Sequence, residues 1–146
     1  MSRRMVDSWV VWALGSALFA SLTAVFGKIG VKGVDPDYAT FLRTIVILAF
    51  AGALVWARGA AQPLGALSPR TLIFLGLSGL ATGASWLCYY RALSLGQASQ
   101  VAPVDKLSVV LVAIIGVAAL GEHLSLKNWL GVGMVTGGVV LIGLKG

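Results

Sequence analysis

The stretch Val101-Ala-Pro-Val-Asp-Lys-Leu-Ser-Val-Val-Leu-Val-Ala-Ile-Ile-Gly-Val-Ala-Ala-Leu120 gives the strongest structural signal in the chain. A helix rises about 1.5 Å per residue and a bilayer's hydrocarbon core is about 30 Å thick, so about 20 apolar residues cross it. Four other stretches are comparably long and apolar, namely Trp9–Ile29, Tyr38–Ala57, Thr71–Arg91 and Asn128–Leu144. The connections between them are short. We therefore predict an all-α polytopic membrane protein with five transmembrane helices and no soluble domain.

The composition also indicates that lipid, and not water, surrounds most of the chain. Hydrophobic residues make up 58% of the 146-residue chain and charged residues 11%, whereas soluble domains carry about 25% charged residues. The net charge of +6 comes mostly from Lys and Arg residues that stand singly near the ends of the apolar stretches, where such side chains reach lipid headgroups. This pattern predicts a lipid bilayer as partner and no nucleic acid. We expect a multi-pass protein of the cell inner membrane or plasma membrane.

The positive charges divide almost evenly between the two sides of the membrane. One side receives Arg3, Arg4, Arg58, Arg70 and Lys127, and the other receives Lys28, Lys32, Arg91 and Lys145. Arg43 and Lys106 lie about a turn inside their stretches and lean toward the second side. Because an excess of Lys and Arg on the cytoplasmic side sets orientation, we predict that the chain inserts in both orientations or is only poorly committed to one.

Local sequence signals predict two helix starts. Ser68-Pro69 is typical of an N-cap followed by proline at the first helical position, and either Ser125 or Asn128 is placed to cap the last helix.

Cys88 is the one cysteine and lies within an apolar stretch. We expect a buried structural thiol there and no disulfide.

Three groups of residues together resemble one EamA-type unit of the drug/metabolite transporter superfamily, over nearly the whole chain. Pro36 followed by Arg43 resembles the start of the family's second helix. Tyr90-Arg-Ala-Leu-Ser-Leu-Gly-Gln-Ala-Ser-Gln-Val-Ala-Pro103 resembles its junction of helices three and four. Leu120-Gly-Glu-His-Leu-Ser125, with Trp129-Leu-Gly131 and Gly137-Gly138, resembles its last hairpin, although Arg is commoner there than His123.

The resemblance implies an assembly. Typical family members carry two such units in one chain, about ten helices, with the second unit inverted relative to the first. We expect residues 1–146 to form a single EamA-like transmembrane domain, so the resemblance implies an antiparallel homodimer in which two copies stand for the two halves. Inverted repeats around a site near the midplane are a common plan of transporters, and the even charge distribution fits an assembly that needs both orientations.

Small residues four positions apart let helices approach closely in lipid. Such pairs occur at Gly79 and Gly83 in the third stretch and at Gly133 and Gly137 in the fifth. Either pair fits packing within one subunit as well as a dimer contact. We predict Gly133 and Gly137 as the dimer interface, because the fifth stretch is smooth and uncharged there.

Aromatic residues at helical spacing suggest the wall of a substrate cavity. Trp12, Phe19 and Thr23 share one face of the first stretch, and Trp86 and Tyr90 share one face of the third. Such walls suit an amphipathic or organic-cation-like molecule through burial and cation–π contact. Core packing or contact with lipid is the alternative for each residue.

The ionisable residues in or near the spans are the other candidates, because a charge near the bilayer centre costs at least about 2.5–3.5 kcal/mol. They are Lys28, Arg43, Arg91, Asp105 and Lys106. We predict that Arg43, Arg91 and Lys106 join the aromatic residues in substrate binding, whereas snorkelling or a structural ion pair is the alternative. Asp105 is the one carboxylate inside a span and follows Pro103, so it is the candidate for ion coupling.

The predicted function is membrane transport of a small organic metabolite or drug by alternating access in the homodimer. No phosphate loop, Ser/His/Asp arrangement or paired carboxylates occur, and Glu122 and His123 are too few ligands for a metal. We therefore expect no enzyme activity, cofactor or metal. Two alternatives stay open: a lipid-headgroup flippase, and a non-transporting subunit that needs a second membrane chain.

Overall fold

The computed structural model describes residues 8–143, and every long element within that range is helical. The helices are α1 (Trp9–Gly30), α2 (Pro36–Ala57), α3 (Pro69–Leu95), α4 (Ala98–Asp105), α5 (Ser108–Ala119) and α6 (Leu126–Gly143), with a short 3-10 helix at Leu64–Ala66. α4 and α5 together make one span, Ala98–Ala119, and five spans are long and apolar enough to cross a membrane. The prediction of an all-α chain with five such helices is confirmed.

Most helices begin a few residues before the apolar stretches do, because capping and first-turn residues are polar. Ser68 Oγ accepts a hydrogen bond from the Thr71 backbone N–H at 3.1 Å, which confirms the predicted cap of α3. Ser125 Oγ accepts one from the Asn128 N–H at 3.3 Å, so Ser125 caps α6. Asp35 caps α2 by accepting from the N–H groups of Asp37 and Tyr38. The predicted end of the last helix, Leu144, lies outside the described residues, as do Arg3, Arg4 and Lys145.

The end of α2 is fixed by backbone hydrogen bonds around a glycine. The Gly59 N–H donates to the Trp56 carbonyl at 3.1 Å, and the Ala60 N–H donates to the Val55 carbonyl at 3.0 Å. This pattern is a Schellman motif, which places its C′ residue in the left-handed region. Gly59 has φ +59° and meets that requirement without a Cβ clash.

The fourth span is interrupted. The Lys106 N–H donates to Pro103 and the Leu107 N–H to Val104, each at 3.0 Å, so hydrogen bonds close over three residues between α4 and α5. Pro103 lies inside α4, two residues before its end, and its carbonyl accepts the first of these two hydrogen bonds. The sequence predicted one continuous helix here, and the break is a finding of the structure.

The helices group into two compact units. Residues 29–95 form one unit, in which α2 packs against α3. The described residues up to Lys28 and from Gly96 form the other, in which α6 packs against α4 and α5. That residues 1–146 make a single domain stays a prediction.

Buried side chains are few. The buried apolar residues within 8–143 are Ala24, Val31, Tyr90, Leu93 and Val139. Large apolar side chains such as Leu48 (73% exposed), Leu80 (75%) and Leu141 (72%) stand on the outside of the helices. Such a surface suits contact with lipid, which is as apolar as these side chains. The helices of each unit therefore pack together with few fully buried side chains.

Candidate functional site

Three of the predicted substrate-binding residues meet in the unit formed by residues 29–95. The guanidinium carbon of Arg43, on α2, lies 4.0 Å from the ring centroid of Trp86 and 5.4 Å from that of Tyr90, both on α3. Trp86 and Tyr90 are one helical turn apart and therefore share a face of α3. We call Arg43, Trp86 and Tyr90 the arginine cage.

The sequence of α2 directs Arg43 toward α3. Thr40 is 5% exposed and precedes Arg43 by three positions, so the two share the packed face of the helix. The hydroxyl of Thr40 donates to the Pro36 carbonyl at 2.9 Å, and that of Thr44 donates to the Thr40 carbonyl at 2.8 Å. Both hydroxyls are thus satisfied within the helix, and the buried face contributes one charged group, Arg43. Thr40 was not a sequence candidate, although its spacing from Arg43 was the available signal.

The guanidinium is held mainly by aromatic faces. Tyr90 is 6% exposed, and Nη1 of Arg43 is buried without a hydrogen-bond partner among residues 8–143. A cation over an aromatic ring gains about 0.5–2 kcal/mol, more when it is desolvated. This contact offsets part of the cost of placing the charge inside the span, but it does not satisfy the in-plane N–H donors.

Glycines line α3 beside the arginine cage. Gly83 precedes Trp86 by three residues and Gly79 precedes Gly83 by four, which puts all three on one face. A Cβ placed at either glycine would meet no atom within 4 Å. This face therefore has open space next to Trp86. Arg91 follows Tyr90 directly and is exposed.

The remaining candidates on α1 belong to the other unit. Trp12 and Phe19 are 68% and 69% exposed, and Thr23 is half-buried. Near the end of the same helix, Lys28 Nζ donates a 2.7 Å hydrogen bond to the Gly96 carbonyl just before α4. Lys28 thus ties α1 to the start of the fourth span.

Asp105 and Lys106 lie at the interruption of the fourth span. Their side chains form an ion pair of 3.3 Å and are 35% and 55% exposed, respectively. Asp105 is seven residues after Ala98, about two turns inside the span. The carboxylate predicted for ion coupling therefore stands where the helix is broken, a place where transporters commonly bind ions.

The small residues of α6 lie beside its packed face. Thr136 is half-buried and Val139 is 7% exposed, on the side that packs within the unit. Gly133 and Gly137 are exposed, and a Cβ on either would meet nothing within 4 Å. At about 100° per residue, Gly137 points about 100° away from Thr136. Gly133 and Gly137 are therefore available to another surface.

Within residues 8–143 no group of three or more His, Cys, Asp or Glu side chains is placed to hold a metal ion. Cys88 is free and exposed, so the expectation of a buried thiol was wrong. In a membrane helix the exposed side faces an apolar solvent, which accepts a thiol as readily as a protein interior does.

A model of the EamA-like transporter family matches residues 7–144. The chain is 56% identical over 138 residues to a protein of Sinorhizobium sp. named an uncharacterized transporter in the cobO 3′ region, covering 94% of this chain and 98% of that one. It is 32% identical over 74 residues to the probable 4-amino-4-deoxy-L-arabinose-phosphoundecaprenol flippase subunit ArnE of Hamiltonella defensa, covering 51% and 67% of the two chains. No solved structure matches.

The family match extends over almost the same residues as the resemblance drawn from Pro36, Arg43 and the last hairpin, and it confirms that resemblance. It also agrees with the five membrane-spanning helices. The protein is a multi-pass membrane protein, and the chain belongs to the EamA-like transporter family.

Proposed function

We propose that this EamA-like transporter moves a small organic metabolite or drug across the cell inner membrane or plasma membrane by alternating access in an antiparallel homodimer. The observation that carries the proposal is the arginine cage. Arg43 stands seven residues after Pro36, about 10 Å along α2. A guanidinium kept at that depth by aromatic rings is typical of residues that face a solute path, because a charge within a span is costly elsewhere.

The solute path is proposed to include all the residues singled out by their spacing or charge. They are Trp12, Phe19, Thr23, Arg43, Trp86, Tyr90, Arg91 and Lys106. The contact of Arg43 with Trp86 and Tyr90 supports this assignment for those three residues. Asp105 is proposed to couple transport to an ion, with Lys106 as its partner in the resting state.

The second copy in this proposal is required by the number of spans. One chain offers five spans, whereas a site between inverted repeats needs two such sets of spans. Gly133 and Gly137 offer the contact, since small exposed residues let a neighbouring helix approach closely. Antiparallel pairing requires chains in both orientations. A terminal reporter of sidedness tests this requirement, and a single orientation would contradict it.

The test of transport begins with a ligand screen. Metabolites and organic ions that raise the unfolding temperature of the purified protein in detergent identify binders, because binding stabilises the folded state. Uptake of each binder into proteoliposomes then decides the function. We expect Arg43→Gln to reduce uptake at least about tenfold and Arg70→Gln, which changes an exposed arginine of the same unit, to leave it within about twofold. Equal uptake by protein-free vesicles would contradict transport.

Ion coupling is tested at Asp105 with the same substrate. Asp105→Asn keeps the size of the side chain but removes its charge. We expect uptake driven by a pH gradient to fall at least about tenfold while the dimer persists. If the variant keeps the wild-type pH dependence, Asp105 has no coupling role.

A second function is favoured by one comparison. The similarity to a protein named as a flippase subunit, over 74 residues, supports a lipid-linked substrate and a second membrane chain. Flipping of a fluorescent lipid phosphate in vesicles, with no uptake of soluble solutes, would select the flippase. A purified chain that stays monomeric and inactive until a second chain is added would select the non-transporting subunit.

A further inference from the structure

The position of the Arg43 guanidinium differs from that of a snorkelling side chain. α2 and α3 pack against each other, and Arg43, early in α2, contacts residues late in α3, so the helices run antiparallel. Trp86 is nine residues and Tyr90 five residues before Leu95, the end of α3. The guanidinium lies closer to Trp86, at 4.0 Å, than to Tyr90, at 5.4 Å. It therefore lies closer to the ring that is farther from the end of α3.

The aromatic rings and a ligand engage different parts of a guanidinium. Rings cover its flat face, whereas its five N–H donors point outward in its plane as a rigid fork. Nη1 is buried and has no hydrogen-bond partner in the part of the chain that the structure describes. Because a buried donor without a partner costs about 1–3 kcal/mol, an acceptor that reached Nη1 would remove that cost.

The unit that contains Arg43 supplies no counter-ion at its depth. Residues 29–95 include two carboxylates, Asp35 and Asp37. Both lie at the start of α2, six or more residues before Arg43, and thus about 9 Å or more away along the helix axis. Asp35 also serves as the cap, with Oδ1 accepting from two backbone N–H groups. The positive charge of Arg43 is therefore not neutralised within its unit.

The glycine face of α3 is open next to Trp86. Gly83 stands one turn from Trp86, and no atom lies within 4 Å of the position that its Cβ would take. This face could take an apolar or aromatic group of a molecule that binds beside Trp86. The faces of Trp86 and Tyr90 are engaged by Arg43 itself, which leaves less of them for an organic cation.

We propose that the arginine cage is an oxyanion-binding site: Arg43 binds a carboxylate or phosphate group of the transported molecule through its in-plane N–H donors, while Trp86 and Tyr90 orient the guanidinium. The inference rests on the proposed function and names the charge class of the substrate. Paired N–H···O bonds from a guanidinium to a carboxylate or phosphate are short and directional. A soluble anionic metabolite and a phosphate-bearing lipid headgroup share this chemistry.

Thermal unfolding of the purified protein in a maltoside detergent tests the charge class. The soluble probes are phenyl phosphate and phenylacetate, with the neutral methyl phenylacetate and the cation phenethylammonium as matched controls. We expect the two anions to raise the unfolding temperature in a saturable way and the neutral and cationic probes to raise it far less. Dodecyl phosphate is the lipid-like arm. Stabilisation by dodecyl phosphate alone identifies a headgroup, and stabilisation by both phosphates identifies a site open to soluble anions.

Variants assign the effect to Arg43. Arg43→Gln is expected to raise the apparent dissociation constant for phenyl phosphate at least about tenfold, and Arg43→Lys by less, because lysine keeps the charge but not the fork. Arg70→Gln is the matched control. The Arg70 guanidinium lies 5.9 Å from the Phe74 ring but is exposed, and its loss is expected to change the constant by less than about twofold.

Two results would overturn the proposal. One is equal stabilisation by the neutral or cationic probe, and the other is unchanged anion binding by a folded Arg43→Gln. If that variant does not fold, the probe series on the wild-type protein decides alone. Proteoliposome uptake separates this inference from the proposed function. Anion binding without uptake of any binder defeats transport and keeps the site, whereas uptake of a cation by protein that binds no anion defeats the site and keeps transport.

Discussion

At the scale of single residues, charged groups within this chain are placed by specific contacts. Arg43 stacks on two rings, Lys28 donates to a backbone carbonyl, and Asp105 pairs with its neighbour Lys106. Each contact compensates part of the cost of a charge within or at the edge of an apolar span. The three charged residues have different partners, so we expect their substitutions to have different consequences.

Lys28 is expected to stabilise the unit that contains α1 and α4. Its ammonium group donates a 2.7 Å hydrogen bond to the Gly96 carbonyl in a part-buried position, and hydrogen bonds to charged groups contribute about 1.5–3 kcal/mol. Lys28→Met should therefore lower the unfolding temperature in detergent by several degrees. Lys32→Met, at an exposed lysine, is the control and should have little effect. Equal shifts of the unfolding temperature in the two variants would contradict a specific stabilising role of the Lys28 hydrogen bond.

The sequence predicted Arg43, Trp86 and Tyr90 as candidates, but it did not predict that they contact one another. The spacing of Trp86 and Tyr90 shows that they share a helix face, and Arg43 stands out as a charge inside a span. Their meeting depends on which faces of α2 and α3 pack together and at what axial offset. That register is set by side-chain packing between helices, for which hydropathy carries no signal.

At the scale of elements, helix ends follow from local chemistry. The caps at Ser68 and Ser125 were readable because a serine before a helical first turn has a known partner. Asp35 was not among the predicted caps, although an Asp before a Pro at the first helical position is a known signal of a helix start. The break after Asp105 was also missed. Pro103 affects the turn before it, so it did not predict a break after Asp105.

Gly59 gives a direct test of the α2 terminus. Its φ of +59° lies in the left-handed region, where a Cβ costs roughly 1–2 kcal/mol. Gly59→Ala should therefore reduce the free energy of unfolding by about that amount, measured by thermal or denaturant unfolding in detergent. Gly65→Ala lies in the same connection, where φ is not positive and nothing approaches within 4 Å. This control should be neutral, and a neutral Gly59→Ala would contradict the Schellman assignment.

At the scale of the whole molecule, the five spans within residues 8–143 carry exposed apolar side chains that suit lipid, and the proposed solute path requires a second copy. Length and hydropathy were enough to predict the five spans, because a bilayer imposes a fixed thickness on each helix. They were not enough to predict the assembly. Two copies can pair through several smooth faces, and the glycine pairs of α3 and α6 satisfy the same pattern.

The α6 face distinguishes these assemblies. Gly137→Leu adds a bulky side chain to the exposed face proposed for the dimer, where overpacking costs about 1–3 kcal/mol. We expect the dimer to dissociate at a protein concentration about tenfold or more higher than for the wild type. Gly131→Leu, on another side of the same helix and equally open, should leave association unchanged. If Gly83→Leu on α3 dissociates the dimer and Gly137→Leu does not, the interface lies on α3.

The number of chains in a functional particle tests the paired-subunit proposal most directly. Native mass spectrometry of the protein released from lipid nanodiscs counts chains of 15.1 kDa without cross-linking. We predict particles with two chains, and we predict that nanodisc preparations enriched in such particles bind the substrate. Single chains that bind and transport the same substrate at wild-type rates would contradict the antiparallel homodimer.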